Sequence, residues 1–262
     1  MKIHPTAIID PRAQIGVDVE VGPYSVIGGD VIIGDRCKIQ SHVVIEGSVK
    51  MGVENFVGPG TVIGTAPQDA TFQAQTRSGV EIGNANVIRE HCTIHRAATE
   101  GRATILGTGN FLLAGAHIGH DARVGDGVIM ANDSLLGGHV QIGDGAFLGG
   151  GSMFHQHIRV GRLALAQGRT TKSVPPFISA VANYALGINV VGLRRAGMSG
   201  AERDEIKRAF RLLYRSGLNA TQAVEKAKAS DFGSLGREFF DFVVTAGRRG
   251  FVAYRAGLES DE

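Results

Sequence analysis

The sequence predicts a mainly β chain: a parallel β-helix followed by a small α-helical domain. Three observations carry that prediction. An aliphatic residue recurs every sixth position through most of residues 4–170, the recurrence stops at two adjacent prolines, and beyond them the apolar spacing becomes helical. The chain has 262 residues, ample for a substantial core, and its 38 glycines, absent tryptophan and 6% aromatic content point to a repetitive, backbone-driven fold.

The first element is the repeat itself. Counting in sixes from Ile15 gives Val21, Ile27, Ile33, Ile39, Ile45, Met51, Val57 and Ile63, all apolar, and seven of the nine are followed by glycine. The phase then slips by one residue. It resumes at Ile82, Ile88 and Ile94, skips Glu100, and continues from Leu106 to Val160, so that 22 of 23 positions are apolar in a chain that is 43% hydrophobic. A period of six fits neither a helix nor a long alternating strand. It fits short strands meeting at corners, with one aliphatic per face pointing inward and glycine at corners whose backbone angles penalise a Cβ. The pattern resembles the hexapeptide-repeat family of left-handed β-helices, in which three hexads make an 18-residue triangular coil. The handedness comes from that resemblance, since ordinary parallel crossovers are right-handed.

Two segments break the lattice, TAPQDATFQAQTRSGV at 65–80 and AATEGRAT at 97–104. Their small polar residues suit loops projecting from the coil, a common location for function. The repeat ends at Ser173-Val174-Pro175-Pro176, where consecutive prolines cannot continue a ladder. The β-helix is therefore expected over 1–178 and a helical domain over 179–262. Ser199 and Glu202 form a capping box, Ile206, Phe210 and Leu213 follow at helical spacing, and Gly217 stops that helix. Two more helices are expected near 219–229 and 234–247.

Net charge is only +2, so the concentrated basic footprint of a nucleic-acid binder is not expected. Cys37 and Cys92 belong to no disulfide or zinc motif. With no charged-then-apolar leader and no long apolar run, a soluble cytoplasmic protein without an integral membrane segment is expected. Charge is uneven: residues 1–158 hold 10 Lys and Arg against 15 Asp and Glu, and residues 159–262 hold 17 against 10. The basic end, with Arg159, Arg162, Lys172, Lys207, Arg208, Arg211 and Arg215, suggests an acidic partner.

Seven of the nine histidines lie between 91 and 157. Winding the chain at 18 residues per coil stacks His120 with Gly138 and Gln156, and Asp121 with His139 and His157, one strand spacing of about 4.8 Å apart. His120 then has the chemistry of a general base, Asp121 that of its orienting partner, and the Gly138 amide that of an oxyanion donor. His117 points elsewhere by repeat phase and reads as a binding residue. His4, His42, His91 and His95 read as hydrogen-bonded surface residues.

AHIGHD at 116–121, LGGHV at 136–140, HQ at 155–156, VPPF at 174–177, GINVVGLRRAGMS at 187–199 and RLLYRSG at 211–217 follow in this order. Together they resemble the acyl-[acyl-carrier-protein]–UDP-N-acetylglucosamine O-acyltransferase family over nearly the whole chain. That resemblance implies a homotrimer with active sites between subunits, an acyl carrier protein delivering a 3-hydroxyacyl thioester, attack by the glucosamine 3-hydroxyl, and no metal or other cofactor. On matching positions it implies His120 as base, with Gly138 supplying the oxyanion donor. His117, His139, His155 and Gln156 would line the sugar and pantetheine site, with Gln68 and Asp69 on the sugar. Asn189 and Arg195 would hold the nucleotide, and Gly168 would lie at the acyl-length ruler. Four positions depart from the family pattern: Thr71 for a lysine, Val191 for a glutamate, Ala196 for the second of two arginines, and His157 for an aromatic. These departures leave room for a 3-amino sugar nucleotide as acceptor, hence N-acyl transfer. Two lesser readings are a zinc hydratase of the γ-carbonic-anhydrase type using His139, His155 and His157, and a non-catalytic scaffold.

Overall fold

The computed structural model describes residues 2–255. Strands mostly two residues long stack into three sheets of 12, 9 and 8 strands among these residues. The sheets form the three faces of a prism. Face 1 carries Phe56–Val57 and its stacked partners, face 2 carries Val62–Ile63, and face 3 carries Ser48–Met51. All pairing within the coil is parallel, and the second residue of each two-residue strand points inward. Ile27, Ile45, Ile63, Ile94, Ile118, Leu136 and Phe154 lie in one register on face 2 and are buried. Stacked aliphatics of this kind contribute roughly 1.5–3 kcal/mol each on burial, so the six-residue period is the fold's main source of stability.

The register locates the insertions. The step is 18 residues from Ile45 to Ile63, 31 from Ile63 to Ile94, 24 from Ile94 to Ile118, and 18 again to Leu136. On face 3 the same 31- and 24-residue steps separate Met51, Ile82 and Leu106. Both insertions therefore leave the coil at one edge, between faces 2 and 3. They are tied together there: the Arg77 N–H donates to Glu100 Oε2 at 2.8 Å, the Gly101 N–H to the Arg77 carbonyl at 2.8 Å, and Arg96 donates to Thr76 O while lying over the Phe72 ring.

The glycines act differently from expectation. Gly22, Gly34 and Gly58, which follow inward aliphatics, do not have positive φ; a Cβ on any of them would come within 2.8 Å of backbone in the next coil. They permit close stacking. The left-handed corners fall two residues later and are often filled by other residues, among them Asp121, His139 and His157 at φ 57, 60 and 65, a conformation that Asp and His tolerate better than most.

The prolines do not end the coil at once. The Val174 N–H still donates to Arg159 O and the Gly161 N–H to Val174 O, both at 2.8 Å. Ile178–Val181 then pairs parallel to Leu165–Gln167, Tyr184–Ile188 pairs antiparallel to it, and Ala253–Tyr254 adds a further strand. The stretch after residue 178 is thus not purely helical: its first segment reads ISAV and YALGI, short alternating runs suited to extending face 1.

Among the described residues four helices follow: α1 (Val190–Arg195), α2 (Gly200–Tyr214), α3 (Ala220–Lys228) and α4 (Ser234–Val244). The Ser199–Glu202 capping box is present, and Asn219 with Gln222 makes a second one on α3. α1 was not expected from spacing, and α4 stops three residues short of 247, where the Thr245 backbone leaves helical angles (φ −97°, ψ 12°). Ile206, Phe210, Ala223, Phe239 and Val243 pack the helices into a core continuous with the coil. Arg162 grips Glu238 through two hydrogen bonds of 3.1 and 2.9 Å, fixing α4 to the prism. Among the described residues, no helix is long and apolar enough to cross a membrane.

Candidate active site

The edge between faces 2 and 3 gathers most of the residues singled out by sequence. The inward aliphatics Ile118, Leu136 and Phe154 are in register, so the corners that follow them stack. Gly119, Gly137 and His155 form one column, His120, Gly138 and Gln156 the next, and Asp121, His139 and His157 the third. The His139 N–H donates to His120 O at 2.9 Å and the His157 N–H to Gly138 O at 3.1 Å, which lock the coils together. An open groove of about 360 Å3 runs along this edge, lined by Gln68, His117, His120, Gly138, His155 and Gln156, with His95 and Phe154 also in its wall.

His120 and Asp121 do face the same way. Their Nδ1 and Oδ2 are 2.9 Å apart. Asp121 Oδ2 also accepts the Ala98 N–H at 2.7 Å, from the second insertion, and the Asp121 N–H donates to Thr104 Oγ1. Burial pushes the Asp121 carboxyl up, but the hydrogen bonds from His120 and the Ala98 amide outweigh it and hold the group below the usual carboxylate range. An ionised Asp121 fixes the proton of His120 on Nδ1 and leaves Nε2 as the free basic atom. That Nε2 lies against Gly138, where a Cβ would collide with it. Among the described residues, the Gly138 N–H has no hydrogen-bond acceptor.

The neighbours tune this pair. The His120 and His139 rings meet edge to face at 5.1 Å, and His139 Nε2 is 4.0 Å from Asp121 Oδ2. Burial lowers the His139 pKa, against the pull of Asp121 and with the charges of His157 and His120. His117 pairs with Thr93 Oγ1 at 2.7 Å, and burial, then His95 and His120, pull its pKa down to about 4. It is a neutral hydrogen-bonding residue at physiological pH. Asp69 accepts both the N–H and the hydroxyl of Thr71 at 2.8 Å, which hold its carboxyl below the ordinary range. Thr71, where a lysine stands in the family pattern, thus orders the acidic residue beside it.

His95 is the residue that spacing missed. It is buried rather than at the surface, its ring edge-on to His117 at 4.9 Å, and its N–H donates to Ile118 O at 3.0 Å. Counting across the second insertion with a 24-residue step would have stacked it beneath Gly119.

Three expected site residues lie elsewhere in the chain. Asn189 sits at the edge between faces 3 and 1, buried, its side-chain oxygen capping α1 through the Gly192 N–H and its Nδ2 donating to Leu163 O at 2.9 Å. Arg195 is exposed on the last turn of α1. Gly168 is at the edge between faces 1 and 2, in left-handed backbone (φ 77), its N–H on Ser152 Oγ. Of the residues named for zinc, His139 and His157 stack nearly parallel at 4.5 Å, and among the described residues the group that could hold a metal is His120–Asp121–His139, without His155 or His157.

Residues 174–252 match the family model described as UDP N-acetylglucosamine O-acyltransferase, domain 2, and residues 12–47 match the model described as bacterial transferase hexapeptide (six repeats). The chain is 43% identical over 232 residues to the acyl-[acyl-carrier-protein]–UDP-N-acetylglucosamine O-acyltransferase of Thermodesulfovibrio yellowstonii, covering 87% of this chain and 90% of that relative. It is 42% identical over 256 residues to the same-named protein of Gloeothece citriformis, covering 95% and 92%. Among solved structures, LpxA of Bacteroides fragilis superposes with a TM-score of 0.91 at 38% identity, over 95% of this chain and 99% of that one. LpxA of Acinetobacter baumannii gives 0.90 at 37%, over 96% and 100%. With this identity over most of its length, the chain belongs to the acyl-[acyl-carrier-protein]–UDP-N-acetylglucosamine O-acyltransferase family.

Proposed function

We propose that the protein transfers a 3-hydroxyacyl chain from acyl carrier protein to the 3-hydroxyl of UDP-N-acetylglucosamine, the first step of lipid A biosynthesis. One observation carries the chemistry: His120 is anchored through Nδ1 on Asp121 while its Nε2 faces a bare glycine with a free amide. His120 Nε2 takes the proton of the sugar hydroxyl as its oxygen attacks the thioester carbonyl. The tetrahedral oxyanion is stabilised by the Gly138 N–H, a contribution of roughly 3 kcal/mol for a well-placed donor. Collapse breaks the C–S bond, and the departing thiolate takes the proton from the imidazolium. Asp121 stabilises that transient cation. No cofactor is required by this sequence of steps. Both substrates are water-borne, which supports a cytoplasmic site of action.

The groove needs a second copy. Beyond the first coils, where face 1 carries Lys2, Glu20 and Lys38, its outward residues Phe56, Val87, Phe111, Ile129 and Phe147 are apolar. Face 2 presents Val26, Val44, Val62, Leu135 and Met153 with Thr93, His117 and Arg169 among them, whereas face 3 presents Lys50, Glu81, Arg123 and Gln141 beside Ile32 and Ile105. Apolar faces of this extent mark interfaces. A closed ring in which face 1 of one copy meets face 2 of the next sets the Asn189–Arg195 edge of one subunit beside the His120 edge of its neighbour. We take that ring to be the homotrimer that the family resemblance implies. Arg195, and the Asn189 region behind it, then serve the nucleotide, with Gln68, Asp69, His117, His139, His155 and Gln156 around the sugar and the pantetheine. Gly168, bare and left-handed, ends the acyl path.

The deciding experiment offers the purified protein UDP-N-acetylglucosamine and its 3-amino analogue with acyl carriers of several lengths, and weighs the products. O-acylated UDP-N-acetylglucosamine is expected. Product from the amino analogue alone replaces this reading with N-acyl transfer, and no product with either overturns acyl transfer. Light scattering of a monomer with full activity overturns the trimer.

A further inference from the structure

The outer surface of face 3 carries a groove that the reaction above does not use. Its lower part, about 730 Å3, lies under the two insertions and is lined by Lys50, Arg77, Arg96, Arg102 and Arg123, with Asp30 and Glu81 as its acidic members. Its upper part, about 550 Å3, shares Ile105 and Arg123 with the lower one and reaches Arg159, Arg162 and α4. Residues 1–158 carry an acidic excess, yet five of their ten lysines and arginines line this one groove.

These cations are not neutralised locally. Among the described residues, Lys50, Arg77, Arg102 and Arg123 form no ion pair, and their side chains donate no hydrogen bond to protein. Of the seven basic residues expected from sequence to receive an acidic partner, four have contacts within the protein, while among the described residues Lys172, Lys207 and Arg211 form no ion pair. Arg162 is held by Glu238, Arg159 by Thr245 and the Phe242 ring, Arg208 lies over Phe232, and Arg215 over Tyr254. Unpaired cations along one cleft focus a positive field that draws an acidic surface in.

The groove also adjoins the reaction edge. Thr104, in the strand that bears Ile105, accepts the Asp121 N–H at 2.9 Å, and the Arg102 charge acts on His139. In the three-copy ring, faces 1 and 2 are consumed and face 3 stays open. We propose that the face 3 groove is the docking surface for the acidic carrier protein that brings the acyl thioester, with Lys50, Arg77, Arg102 and Arg123 as its contacts. This assignment rests on the acyl-transfer reading above.

The test is the pair Lys50→Glu and Arg123→Glu, both on outer strand positions away from the histidines, with unchanged melting as the control for folding. The KM for acylated carrier is expected to rise about tenfold or more, with KM for UDP-N-acetylglucosamine and turnover of a small acyl-pantetheine donor unchanged. Fluorescence anisotropy of labelled acyl carrier protein is expected to show the same loss of affinity. A milder pair, Arg77→Gln with Arg123→Gln, is expected to weaken the carrier about threefold and serves if charge reversal perturbs the fold. Unchanged carrier affinity in both pairs overturns the proposal. So does a rise confined to the sugar nucleotide, which assigns the groove to its diphosphate. A wild-type protein that transfers from neither donor sinks acyl transfer itself, while the anisotropy titration still decides the surface.

Discussion

His120 Nδ1 sits 2.9 Å from Asp121 Oδ2 at a corner where Asp121 takes left-handed backbone, φ 57. Neighbours in a strand point to opposite sides; here the turn lets two consecutive residues act as a pair. Asp121→Asn keeps the volume but removes the charge that fixes the Nδ1 proton. A fall in kcat of about 10²-fold is expected, with KM for the sugar nucleotide little changed. His120→Ala should cost at least as much, and combining the two should add little, because the residues act as a unit. Steady-state kinetics of the two single variants and the double variant check this; fully additive losses would separate the residues.

Gly138→Ala tests the other side of the base. The new Cβ would run into His120 Nε2, the atom that must meet the sugar hydroxyl. A loss of kcat of about 10²-fold or more is expected without a matching loss of stability. Gly150→Ala is the control, since its Cβ would meet nothing closer than 3.5 Å. Equal activity in the two variants would remove Gly138 from the site.

The buried histidines make stability depend on pH. In the unfolded chain His117 takes a proton near pH 6.5, whereas in the fold it resists down to about 4. Between these values the unfolded state binds more protons, so stability is full above about 6.5 and declines as pH falls towards 4. Burial lowers His95 and His139 in the same direction. Melting temperature is therefore expected to drop between pH 7 and 4.5, and His117→Asn to flatten part of that slope. An identical slope in the variant would show that His117 is not its source.

The period of six made the coil and the stacking of 120, 138 and 156 readable, because one inward aliphatic per face is a one-dimensional signal. What stayed hidden depended on three-dimensional counting. His95 could be placed only by carrying the register across the second insertion, where Ile94 pairs with Ile118 at a step of 24 residues. Asn189 reads as a ligand in a motif, but its amide is spent on Gly192 and Leu163. The glycines after each aliphatic suggested unusual φ, and the constraint proved to be the approach of the next coil. The fate of Arg159 and Arg162 was invisible too, because their partners Phe242 and Glu238 are more than 70 residues away.

A second ladder, inside the edge between faces 3 and 1, is expected to set much of the coil's rigidity. Asn55, Asn86 and Asn110 are buried one above another. Asn86 Nδ2 donates to Asn55 Oδ1 at 2.9 Å, and Asn110 Nδ2 and N–H both donate to Asn86 Oδ1 at 2.9 and 2.8 Å. Asn86→Ala leaves two buried donors of Asn110 without an acceptor. Unpaired buried polar groups cost roughly 1–3 kcal/mol each, so destabilisation on the order of 3 kcal/mol is expected. Asn86→Asp should be worse at neutral pH, since a carboxylate cannot donate to Asn55 Oδ1 and would be charged in a dry interior. Thermal unfolding of both variants checks the order, and an Ala variant as stable as the parent would show that the ladder is dispensable. Because the ladder's side chains are buried inside the coil and line no part of the His120 groove, kcat of the folded fraction should hold while melting temperature falls, the reverse of the Gly138→Ala result.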